Sequence, residues 1–316
     1  MSIADTEHVR AAFHAIPQAL ANTAIDWRPE RAQLQELTGG ILNSNWLVSC
    51  DDKRYVMKVF GVGSENFVNR SLSHEAANQA YHLGLAPCPV YFNASTGFEL
   101  TDFLSDYRAC NNADFVHTDF LGAAIDLYRQ FHHGAPLSQT KDVFSMTDEH
   151  LEQGEEIGAL RPIDFAWLIY QYQRAKQAFM ASGLDLVPCH NDPMPGNFMV
   201  QLSENGDILD MKLIDFEFAS NNERAYEIGV FLGEVFADED DTLAMIERYY
   251  GHTRPDVVAR VWAARAVADM KWGSWAVQQR QLSDWDFDYQ KYGIWKYARA
   301  RLLFNDPRWN DWLRLL

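Results

Sequence analysis

Apolar positions in the first hundred residues recur with two different periods. Residues 8–21 repeat every three to four positions, the mark of an amphipathic helix. Beyond them, 34–37, 46–50 and 55–60 read as strands. Gly39-Gly40 and Asp51-Asp52, residue types that favour turns, separate them. The period becomes helical again over 70–83, where Gly84 supplies a C-terminal cap and Pro87 a stop. Two more strands are predicted at 89–92 and 97–103. The expectation is a small sheet with one helix.

After residue 104 the pattern changes. The polar stretch 105–113 marks a boundary between an N-terminal lobe, 1–104, and a C-terminal lobe, 105–316. Long apolar faces at helical spacing run over 117–132 and 163–182. Strand-like pieces follow at 186–189, 198–202 and 208–216, then helices at about 224–237, 240–250, 256–280 and 287–303. The predicted fold class is α+β: a small β-rich lobe and a larger, mainly helical one.

Composition narrows the function. The chain has 316 residues, 47% hydrophobic and 22% charged, which excludes a disordered or low-complexity protein. The net charge of −17 argues against nucleic-acid binding and against docking on anionic lipid, since both need a cationic face. Most of the acidic excess lies after residue 104. It suits a cationic small molecule, although a solvated surface gives the same count. Cys50, Cys88, Cys110 and Cys189 form no CxxC pair, which points to reduced thiols. The N-terminus lacks a signal-peptide pattern, and 11–25 is too short and polar to span a bilayer. A cytoplasmic protein without membrane insertion is expected.

The strongest chemical signal is His190-Asn191-Asp192-Pro193-Met194-Pro195-Gly196-Asn197, followed by Leu213-Ile214-Asp215-Phe216-Glu217. Either piece alone is an ordinary polar loop. Together they supply what phosphoryl transfer from ATP requires. One carboxylate, Asp192, orients the attacking hydroxyl, while a carboxamide, Asn197, and a second carboxylate, Asp215, hold Mg²⁺. Upstream, Lys58 stands alone in the apolar run 56–60 and must find an anion or point outward. Glu75, on the next predicted helix, is its candidate partner. Gly39-Gly40-Ile41-Leu42-Asn43-Ser44-Asn45 is a candidate phosphate-covering turn, to which Asn43 adds a polar contact. Trp272 and Trp275 share a helix face and, with Tyr292, could form a cage for a quaternary ammonium, with Glu234 as counter-charge. Core packing is the commoner use of Trp at this spacing.

With these residues the chain resembles the choline/ethanolamine kinases, within the aminoglycoside-phosphotransferase-like group of the protein-kinase fold. The resemblance covers nearly the whole chain and implies a two-lobed kinase-like architecture. It implies Asp192 as catalytic base, Asn197 and Asp215 as Mg²⁺ ligands and Glu217 as an accessory metal-shell residue. Gly39, Gly40, Asn43, Lys58 and Glu75 would belong to the nucleotide side. Asp102 and Phe103 would form the adenine-contacting hinge, with Asp102 where the family usually has Glu. Trp272, Trp275, Tyr292 and Glu234 would line the acceptor site. The acidic run at Asp238, Glu239, Asp240 and Asp241 falls where some members place an aromatic cage residue, which leaves the amine open. The implied reaction phosphorylates a small cationic alcohol, choline first, with ethanolamine, thiamine or an aminoglycoside as alternatives. A choline-binding module without turnover is the non-enzymatic alternative.

Overall fold

A computed structural model describes residues 33–37, 43–60, 68–95, 97–283 and 287–316. The predicted helix over 8–21 and the Gly39-Gly40 turn lie outside them. Contacts divide the chain into two units. One holds the described residues up to Arg108 together with Met199–Phe218; the other holds Ala109–Phe198 and Ala219–Leu316. The sequence reading placed the boundary at 104, whereas contacts group 105–108 and 199–218 with the first unit. Strand-like pattern does not reveal which neighbour a hairpin joins. Here Leu213 N donates to Leu85 O at 2.7 Å and Lys212 Nζ to Gly84 O at 2.6 Å, tying the segment to the first unit.

The first unit is built on an antiparallel sheet of β1 (Gln33–Leu37), β2 (Asn43–Cys50), β3 (Lys53–Phe60), β4 (Pro89–Asn93) and β5 (Phe98–Asp102), in the order β1-β2-β3-β5-β4. Alternation along β3 sends Tyr55, Met57 and Val59 into a core with Val48, Phe98 and Leu100. Lys58 therefore emerges on the opposite face, directly across from Glu99 of β5 and Asn45 of β2. Helix α1 (Arg70–His82) starts where the Asn69 side chain accepts from Leu72 N. It stops at Gly84, whose φ of +77° suits a residue without Cβ.

The second unit is helical: α2 (Thr118–His132), α3 (Val143–Glu156), α4 (Phe165–Ser182), α5 (Arg224–Glu234), α6 (Glu239–Tyr250), α7 (Pro255–Leu282), α8 (Tyr289–Phe304) and α9 (Trp309–Leu315). Its centre is α7, which is buried on most of its faces and packs against α3, α5, α8 and α9. Gly229 permits the close crossing of α5, because a Cβ there would meet the α7 backbone at 2.9 Å. The strand Leu186–Cys189 pairs antiparallel with Ser220–Glu223. That second strand is entirely polar yet buried, so apolar patterning gave no hint of it. Helices α3 and α9 were likewise unanticipated. The strand expected over 208–216 ends at Leu213, because Asp215 adopts a left-handed φ of 66° that no strand continues through.

Candidate active site

The candidate site residues fall in two sets, one in each unit. In the first unit, Lys58 Nζ bonds the Asp215 carboxylate. Burial works against the ammonium, but Asp215, Glu217 and Glu99 outweigh it and hold the lysine pKa above its ordinary value. Lys58 is therefore a fixed cation. Glu75 lies half-buried on α1, and the carboxylate bonded to Lys58 in this structure is that of Asp215. Glu99 was missed by sequence reading. Burial raises its pKa, while Lys58 pulls it down.

Glu217 is joined to β2: Asn43 Nδ2 donates to its Oε2 at 2.7 Å. The structure thus links the first residue of β2 to the Asp215–Glu217 segment, across 174 positions of sequence. At the end of β5, Asp102 N donates to Cys88 O and Phe103 N to Arg54 O, whose guanidinium lies over the Phe103 ring. These bonds set the backbone of the expected adenine hinge.

In the second unit, Asp192 sits on the loop that leaves Leu186–Cys189. Asn197 Nδ2 donates to Asp192 Oδ2 at 3.0 Å, so the two residues five apart do meet. The loop backbone is clamped by Glu227 of α5, which is fully buried. Glu227 accepts from His190 N at 2.5 Å and from Asn191 N at 2.7 Å. It also meets His132 Nε2 at 3.3 Å, and His132 Nδ1 lies 2.6 Å from the Tyr249 hydroxyl. The tautomer with Nε2–H donating to Glu227 lets Nδ1 accept from Tyr249 and satisfies both contacts. Burial lowers the His132 pKa, which keeps the ring neutral. Asn191 has a left-handed φ of 68°; its amide donates to Ser220 Oγ and accepts from Asn222. The left-handed backbone at Asn191 and at Asp215 is strain concentrated beside the two candidate carboxylates.

Sequence reading missed Glu227. A lone carboxylate inside the apolar run 225–232 was the available signal. Glu227→Gln keeps the size but replaces one acceptor oxygen with an NH₂ group, stranding a buried backbone N–H. We expect a stability loss of about 1–3 kcal/mol, read by urea unfolding. A loss below about 0.5 kcal/mol would show that the clamp is dispensable.

Of the candidate acceptor residues, Trp272 and Trp275 lie on α7, Tyr292 on α8 and Glu234 at the end of α5. Trp272 and Trp275 are buried and meet edge to face at 5.4 Å, and Trp275 meets Tyr292 at 6.0 Å. Gly273 between them allows Tyr297 to approach, since a Cβ would come within 2.9 Å of its ring. Burial, and then the Glu234 and Asp192 carboxylates, push the Tyr292 phenol pKa well up. Tyr292, Glu234 and Asp192 therefore share one electrostatic neighbourhood. Glu234 is bonded to Lys296 and lies 3.6 Å from Arg299; these cations overcome burial and lower its pKa. Glu234 is thus already balanced. Neither Lys296 nor Lys271 was foreseen. The Lys296 ammonium lies over the Tyr292 ring at 4.8 Å, and that of Lys271 over the Trp272 ring at 3.1 Å.

In the first unit Asp215 and Glu217, and in the second Asn197, carry oxygen atoms of the type that a hard divalent cation such as Mg²⁺ takes. The Asp215 side chain keeps 26% exposure, so its carboxylate is not sealed in the core. No helix among the described residues is long and apolar enough to cross a membrane.

The sequence profile of the choline/ethanolamine kinases matches residues 34–256. Over 225 residues the chain is 22% identical to protein LicA of Haemophilus influenzae, covering 68% of this chain and 62% of that protein. It is 27% identical over 130 residues to a probable ethanolamine kinase of Arabidopsis thaliana, covering 35% of this chain and 34% of that protein. The chain therefore spans less than two thirds of these relatives. A solved choline/ethanolamine kinase family protein from Mesorhizobium loti superposes with a TM-score of 0.79 at 22% identity, covering 98% of both chains. Solved choline kinases and aminoglycoside phosphotransferases share this protein-kinase-like fold.

Proposed function

Because the chain belongs to the choline/ethanolamine kinase family, we propose that it transfers the γ-phosphoryl group of ATP to the hydroxyl of a small cationic amino alcohol, choline first among them. The observation that carries this reading is the common electrostatic neighbourhood of Asp192, Glu234 and Tyr292, beside the Trp272–Trp275 pair. A base for a hydroxyl and aromatic faces for a cation are the two halves of an amino-alcohol acceptor site.

In this reading Asp192 orients the acceptor hydroxyl and takes its proton. Asn197 holds one Asp192 oxygen and restrains the rotation of the carboxylate. Glu227 fixes the backbone beneath it. Lys58, kept protonated by its carboxylate neighbours, acts on the ATP phosphates, with Asn43 bracing Glu217. Gly39 and Gly40 are assigned to the nucleotide side on sequence alone, Glu75 supports that side from α1, and the backbone at Asp102 and Phe103 takes the adenine. Mg²⁺, taken by Asp215 and Asn197 with Glu217 as accessory, would supply neutralisation of charge on the phosphate oxygens. The protein's part is positioning and a fixed electrostatic field.

An acceptor panel of choline, ethanolamine, thiamine and an aminoglycoside, with ATP and Mg²⁺, tests the proposal through ADP release. Choline should stimulate release most. Release that no acceptor stimulates would favour a binding module without turnover.

A further inference from the structure

Helix α8 packs one side against α7 and leaves the other open. Gly293, Lys296, Tyr297, Ala300 and Phe304 form the buried side. Ile294, Trp295 and Leu302 are each more than half exposed. On a helix these three and Ala298 fall within about 100° of one another, so they make one apolar stripe. Asp164 is bonded to Arg301 of α8, which brings the connection carrying Leu160 and Ile163 beside the stripe. Both of those side chains are also more than half exposed. Single exposed apolar residues are ordinary, but a contiguous set rimmed by polar groups marks an interaction surface.

We propose that this surface pairs with a second copy of the chain, α8 against α8, antiparallel, with the two Ala298 residues facing each other at the two-fold axis. The spacing of the stripe fits that occupant. Ile294 and Leu302 stand four residues to either side of Ala298, so Ile294 of each copy meets Leu302 of the other. The same register sets Trp295 opposite Arg301, an indole face for a guanidinium. It also sets Lys291 opposite Asn305, next to Asp306. Lys291 is exposed in the first turn of α8, where a cation opposes the helix dipole. Antiparallel pairing carries it to the C-terminal end of the second helix, where the sign is favourable. Ala298, the smallest side chain of the stripe, lets the two backbones approach at the crossing. The contact is narrow and the chain carries a net charge of −17, so the dimer is a reversible one, with a dissociation constant of about 1–100 µM.

Sedimentation equilibrium of the full chain at about 0.15 M salt tests this. Between about 1 and 500 µM the mass should rise from monomer towards dimer, and a monomer throughout would overturn the proposal. Trp295→Glu puts a carboxylate in the stripe and should raise the dissociation constant about 30-fold or more. A dimer that this variant leaves intact uses another surface, which would also overturn it. Register is read by cross-linking with a short bismaleimide. Ala298→Cys should join two copies above the background of the unaltered protein, which includes half-buried Cys88. Asn305→Cys should not, because its two copies would lie about 20 Å apart. No link through Ala298→Cys, or a link through Asn305→Cys instead, would contradict the pairing. Should Trp295→Glu fail to fold, the cross-links decide. None of these readouts involves nucleotide or acceptor, so they stand apart from the kinase reading.

Discussion

Asp192→Ala should lower kcat by about 10²–10⁴-fold while leaving ATP affinity nearly unchanged. Asp192 stands on the loop after Leu186–Cys189, held by Asn197 and underpinned by Glu227. In the proposed reaction its work falls on the acceptor hydroxyl, so its loss should appear in turnover. Glu227 holds backbone N–H groups of His190 and Asn191, which Asp192→Ala does not touch, so the loop should keep its shape. Steady-state kinetics together with nucleotide titration read both quantities. A variant that retains more than about a tenth of kcat would remove Asp192 from the role of base.

The second large effect is expected at Lys58. Lys58→Met keeps the length and the apolar stem and deletes the ammonium. We expect kcat/KM for ATP to fall by about 10²–10³-fold, the cost of losing one fixed electrostatic partner of a transferring group. A folding effect accompanies it, because Asp215, Glu217 and Glu99 lose their shared cation. Breaking a fully buried pair costs about 3–5 kcal/mol. The 12% and 26% exposures of the Lys58 and Asp215 side chains place this case below that ceiling. Measuring activity well below the unfolding midpoint separates the two effects. If kcat/KM for ATP stays within about tenfold in the folded variant, Lys58 is a structural cation only.

How much of this was legible in the sequence depends on the kind of signal each residue leaves. Period-two alternation in β3 isolated Lys58, and register then fixed Glu99 opposite it, a pairing that depends on which strand lies alongside. The Asp192–Asn197 contact was legible because both residues lie on one short loop. The partner of Lys58 was not. Glu75 is near in sequence, but Asp215, 157 positions away, takes the ammonium, since strand pairing and hairpin docking bring distant segments together. Ser220–Glu223 escaped because a buried strand of polar residues, satisfied by Leu137, Val143 and Asn191, has no apolar pattern. The tryptophans on α7 are both packed and candidate ligands, so spacing alone could not separate the two uses. Nothing in the sequence marked Lys271 on α7 or Lys296 on α8, yet both are buried.

The central claim is transfer of phosphate from ATP to an amino alcohol, and ³¹P NMR of the protein with ATP, Mg²⁺ and choline reads it most directly. The account predicts loss of the γ-phosphate resonance of ATP, matched by growth of one phosphomonoester resonance at the position of phosphocholine, and no such growth with Asp192→Ala. Release of inorganic phosphate alone, or unchanged spectra with choline and with every other amino alcohol, would contradict it.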